Sequence, residues 1–73
     1  MKNTAESYEH LPHPLLHQQV RDRQSYRAGQ LMAVVREPAG QVMGRMRYTL
    51  TAYIKDASSA VEFTAAPGNL ERA

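Results

Sequence analysis

The side chains in this sequence able to bind or react are three histidines, four serines and a run of arginines. His10, His13 and His17 are spaced H-x-x-H and H-x-x-x-H, and two histidines four apart on a helix can share a metal ion. Here Pro14 intervenes, and no acidic residue lies between the histidines to act as a base. They are expected to be surface or capping groups of an N-terminal arm, with no metal site. Ser7, Ser25, Ser58 and Ser59 sit in tail or turn contexts, and G-x-S-x-G, Walker-type and G-x-G-x-x-G patterns do not occur. A core this small leaves little room for a water-excluding pocket, so no catalytic residue, no cofactor and no enzyme are expected.

The arginines are placed more pointedly. Arg21, Arg23, Arg27, Arg36, Arg45, Arg47 and Lys55 stand between Val20 and Lys55 against only Asp22 and Glu37, a local net of +5, while the two flanks together carry −3. Seven of the nine basic residues are arginine, whose planar fork suits bidentate contact with carboxylate or phosphate. The central block therefore calls for an acidic partner, either nucleic acid or an acidic protein surface.

A chain of 73 residues makes one small domain, and a domain of that size buries only about 60% of its unfolded surface. With no cysteine there is no disulfide framework and no thiolate chemistry, which is compatible with a cytoplasmic protein. Lys2 is followed by no apolar run, and no long apolar stretch occurs, so neither a signal peptide nor a membrane span is expected. Residues 1–10 are polar and aperiodic and read as a flexible tail, leaving 11–73 as the domain.

The elements that must position the arginines read as mostly β, with α+β as the variant. The expected architecture is a three-stranded antiparallel meander, strands near 29–36, 41–55 and 60–66, bent toward a small half-barrel. Residues 11–27 supply a short helix or arm: Pro14 could open the helix, with Leu16 and Val20 on one side, and an extended lid is the competitor. From Gln41 to Lys55 the period is 2: Val42, Gly44, Met46, Tyr48, Leu50, Ala52 and Ile54 alternate with Met43, Arg45, Arg47, Thr49, Thr51, Tyr53 and Lys55. Such a strand would approach about 50 Å, and Gly44 is the natural place for a bulge or kink. The Pro and Gly of EPAG predict a hairpin turn that sets Arg36 opposite Gln41, Val35 opposite Val42, Ala33 opposite Gly44 and Leu31 opposite Met46. After the KDASSA turn, the return strand sets Ile54 opposite Val61, Ala52 opposite Phe63 and Leu50 opposite Ala65. Both registers put the apolar residues on one face, and a slip of one residue in either would invert the pattern.

The first register also places Met32 opposite Arg45, Val34 opposite Met43 and Gln30 opposite Arg47 on the outer face. The expected partner-binding set is thus Met32, Val34, Arg36, Met43, Arg45 and Arg47, an apolar cluster rimmed by arginines of the kind enriched at interfaces. The alternative is that Leu11, Leu15, Leu16 and Val20 fold over this cluster. Arg45, Arg47, Tyr53 and Lys55 form the expected nucleic-acid contacts, cations meeting phosphates while Tyr53 stacks a base.

The sequence ranks two functions. The first is a small non-catalytic regulator or inhibitor that binds a larger protein or nucleoprotein through the Arg-rimmed sheet face. The second is a small nucleic-acid-binding protein using the basic outer face of the long strand. A homodimer is favoured over a monomer, because so small a sheet has little to bury alone. In size, absence of motifs and compact β pattern the chain resembles the small proteins encoded by phages and mobile elements, anti-CRISPR proteins among them. That resemblance is one of general character and implies no role for any residue.

Overall fold

A computed structural model describes residues 9–73. Six strands form one antiparallel sheet: β1 (Glu9–His10), β2 (Gln19–Asp22), β3 (Ala28–Val42), β4 (Arg45–Asp56), β5 (Glu62–Ala65) and β6 (Leu70–Arg72). Their order is β5-β4-β3-β2-β6, with β1 pairing β3 beside β2. β5 and β6 lie at opposite edges, yet only Ala66 and the 3-10 turn Pro67–Asn69 connect them. So short a link requires the sheet to curl, giving an open half-barrel. Arg23 holds this closure, its Nη2 donating to the Gly68 carbonyl at 2.9 Å and its Nε to that of Asn69 at 3.3 Å. Among the described residues no helix is long and apolar enough to cross a membrane.

The mostly β, meandering architecture is as expected, but its longest hairpin is built differently. β3 runs straight through EPAG and turns at Met43–Gly44, with Val42 opposite Arg45 as the last pair. Met43 and Gly44 have φ of 52° and 78°, the positive values that a two-residue type I′ turn demands of both central residues. The expected strand 29–36 is therefore longer, the expected strand 41–55 is interrupted, and Gly44 makes the turn itself. Pro38 and Ala39 mark a bulge within a strand, where the register shifts between Pro38 and Gly40; proline is tolerated at such a site because its missing N–H is not needed there. Arg36 consequently faces Leu50 rather than Gln41.

A second bulge at Met32 corrects the expected core. The register shifts between Leu31 and Ala33, so the inward alternation passes from Leu31 to Val34 and skips Ala33. Leu31 faces Ile54 and Val34 faces Ala52, and these four with Val20 form the buried cluster. Leu11, Leu15, Leu16, Phe63, Ala65 and Leu70 close its ends. The second hairpin pairs Ile54 with Phe63 and Ala52 with Ala65. That is two residues from the expected register, a displacement that leaves every side chain on its expected face.

Residues 11–27 are an arm and a strand, with no helix. The arm leaves the edge of β3 where the Leu11 N–H donates to Val34 and rejoins it where the His17 N–H donates to Leu31. The detour lies opposite the Met32 bulge and carries Leu15 and Leu16 onto the core. Pro12 and Pro14 oppose continuous pairing here, and Val20, wholly buried, is better satisfied in a strand opposite Gly29 than on a thin helical stripe. Asp22 is buried too, but its carboxylate accepts from the Gln24 N–H at 3.1 Å and the Ser25 hydroxyl at 2.8 Å, closing the turn to β3. Of the expected tail, residues 1–8 lie outside the described residues, and Glu9 and His10 pair with Arg36 and Val35.

Candidate functional site: a projecting two-stranded ribbon

β2 and β5 pair with the long hairpin only near its base, β1 reaches β3 only as far as Arg36, and no described strand pairs with its far half. From Ala39 to Leu50 every residue is exposed, and the molecule is correspondingly elongated, 40 × 27 × 22 Å. The two faces of this ribbon differ in chemistry, because side chains alternate along β4 and paired residues share a face. Met46, Tyr48 and Leu50 continue the row of Ala52 and Ile54, but where those two are fully buried the ribbon residues remain 45%, 46% and 50% exposed. Pro38 lies opposite Tyr48 on this inner face. Arg36 closes its base, with its guanidinium 4.5 Å from the Tyr48 ring centroid and its Nε 3.2 Å from Glu9.

The outer face carries Arg45 opposite Val42, Arg47 opposite Gly40, and Thr49 opposite Glu37. Arg21, Arg27 and Arg36 are engaged in ion pairs with Glu71, Asp56 and Glu9. The guanidinium groups of Arg45 and Arg47 have no such partner among the described residues. Glu37, the nearest acid along the ribbon, accepts instead from the Tyr53 hydroxyl at 2.8 and 3.0 Å. At the tip Met43 is 96% exposed, and Val42, Met43, Arg45, Met46 and Arg47 line a shallow concavity.

The expected partner-binding residues are therefore brought together only in part. Met43, Arg45 and Arg47 meet at the tip. Val34 is in the core at 3% exposure, and Met32 sits on its bulge beside the body of the sheet, so the proposed Met32–Val34–Met43 cluster does not form. Leu11, Leu15 and Leu16 pack against the core cluster to which Val34 and Val20 belong, whereas Met32 and Met43, which the alternative had them cover as well, stay exposed. The expected nucleic-acid set is likewise divided. Tyr53 is half-buried with its hydroxyl committed to Glu37, and Lys55, opposite Glu62, stands ten residues from Arg45, about 33 Å along the strand. Missing from the expected site are Val42, Met46, Tyr48 and Leu50. Their alternation was plain, but it reads as core unless the reach of the neighbouring strands is known.

Elsewhere the titratable groups serve turns. His13 Nδ1 accepts from the Leu15 N–H at 3.0 Å. The Asp56 carboxyl is held well below the usual carboxylate range, first by the Ser58 backbone N–H and then by Arg27 and the Ser58 hydroxyl. The Arg27 guanidinium, 2.9 Å from Asp56, also stacks 4.0 Å over Phe63. Among the described residues no three of His, Asp and Glu gather as metal ligands. Compared with protein-family models, with curated proteins and with solved structures, the chain gives no match.

Proposed function

We propose that this protein is a small non-catalytic regulator or inhibitor that docks on a larger protein or nucleoprotein through the ribbon 36–50. The observation carrying this reading is the half-exposed row Met46, Tyr48 and Leu50, with two arginines that have no ion-pair partner among the described residues on the opposite face and Met43 at the apex. An apolar row of this kind left in water is unfavourable in isolation and becomes favourable under a partner. Aromatic, Met and Arg side chains are those enriched at the centres of interfaces. A cytoplasmic setting suits a chain without cysteine.

Nucleic acid is the second reading, since a two-stranded ribbon fits a major groove about 12 Å wide. Against it, the ribbon offers only Arg45 and Arg47 as unpaired cations on its outer face, fewer than the roughly 6–10 phosphate contacts that give strong salt-dependent binding. The discriminating experiment places a photo-crosslinking residue at Met43, with Ser59, in the turn at the other end of β4, as control. A specific adduct at position 43 that survives nuclease, is lost when Tyr48→Glu is introduced beside the crosslinking residue and is absent at 59 supports a protein partner. An adduct destroyed by nuclease assigns the ribbon to nucleic acid, and equal labelling at both positions refutes the site.

A further inference from the structure

The ribbon has two edges that no described strand pairs, and they are not equivalent. Beyond Arg36 no described residue pairs with the outer edge of β3, but that edge contains Pro38, which has no N–H to offer, and the Ala39 bulge, which twists the backbone out of register. Both are devices by which edge strands avoid accepting another strand. The outer edge of β4 has neither. β5 covers it only from Ala52 to Lys55, and over residues 45–51 no described strand pairs with it. Seven consecutive residues without proline, glycine or bulge thus leave alternate N–H and C=O groups with no described strand to pair them.

The side chains on this edge state what they would accept. Met46, Tyr48 and Leu50 point to one face, and Arg45, Arg47, Thr49 and Thr51 to the other. A basic partner strand is repelled by Arg45 and Arg47, and a second copy would add its own two arginines to the same face. A strand carrying acidic residues on that face is attracted, and the charge that discourages self-pairing selects this partner. Building on the proposal that the ribbon is a protein-docking element, we propose that the β4 edge over residues 45–51 is a strand-addition site. Its occupant is an extended segment of a partner protein, with acidic side chains opposite the arginines and apolar ones along the Met46–Tyr48–Leu50 row.

The test uses the full chain and a synthetic peptide of about eight residues alternating Glu and Val, with a Lys and Val alternation as control. Backbone amide exchange is followed by NMR. With the acidic peptide, alternate amides within 45–51 should slow by about tenfold or more while those of 37–42 are unchanged. The double variant Arg45→Glu, Arg47→Glu, whose substitutions lie on the exposed face, should transfer this protection to the basic peptide. Absence of binding, binding without edge protection, or equal protection by both peptides overturns the proposal. So does displacement of the peptide by a short DNA duplex. Protection that rises with protein concentration alone assigns the edge to a second copy instead. If the position-43 adduct persists while the peptide fails, strand addition is wrong and the docking ribbon stands; loss of both removes both.

Discussion

Gly29→Ala tests the closeness of the two long strands on which the ribbon depends. Gly29 is buried in β3 opposite Asp56, and Val20 of β2 pairs with it from the other side. A Cβ at this position would run into the Lys55 carbonyl oxygen, with the Lys55 carbonyl carbon at 2.8 Å and Ile54 Cγ2 at 2.9 Å. Two effects of opposite sign compete. Replacing glycine by alanine in a backbone both can adopt stabilises by about 0.4–1 kcal/mol through the unfolded chain. Overpacking costs about 1–3 kcal/mol, and here the obstacle is chiefly backbone, which cannot rotate away, so the upper end applies. The net loss of about 2 kcal/mol is large against the roughly 4–11 kcal/mol expected of a chain this long, and corresponds to a fall in Tm of about 8–16 °C. Thermal unfolding followed by far-UV circular dichroism reads it directly. A Tm equal to or above that of the wild type would show that β3 and β4 do not approach as described.

The same unfolding assay separates ribbon from core: Ile54→Ala should cost about 2–5 kcal/mol, whereas Leu50→Ser, two residues away on the same face, should cost no more than about 1 kcal/mol. Met43→Asn should raise stability by about 0.5–1 kcal/mol, since asparagine accepts the positive φ of 52° more readily than methionine; a loss would argue against the type I′ turn. Asp56 has a folded-state pKa depressed below its ordinary 3.8, so its contribution is fully present above that value and is lost as pH falls toward the folded pKa. Asp56→Asn should therefore be less stable than wild type at neutral pH and converge with it between about pH 5 and 2, and denaturant midpoints across that range that stay parallel would refute the turn-holding role.

The extent to which the sequence foretold the site depends on which interactions are local. Alternation along β4 was legible because it is a property of consecutive residues, and its two faces are those observed: Ala52 and Ile54 inward, Arg45 and Arg47 outward. The second hairpin was legible to within one pleat for the same reason. The first was not, since EPAG and Met43–Gly44 both carry a credible turn residue. The choice fell to whichever register buries Leu31, Val34, Ala52 and Ile54 together with Val20, and that comparison spans the whole chain. The Met32 bulge was equally invisible, because nothing in the neighbouring residues distinguishes a bulged methionine from a paired one.

By itself the sequence determined a mostly β chain with a basic centre, a two-faced strand and no recognisable catalytic motif, all of which follow from residue type and period. Only the tertiary structure decided which part of the apolar face is core and which is surface. Met46, Tyr48 and Leu50 have the same pattern as Ala52 and Ile54, but burial requires a covering layer, and the arm and β5 end before they reach them. The same shortfall leaves the β4 edge over residues 45–51 without a described strand beside it, and Arg45 and Arg47 without an ion pair to any described acid. What was written as core at the level of sequence becomes, by the length of its neighbours, an exposed apolar row.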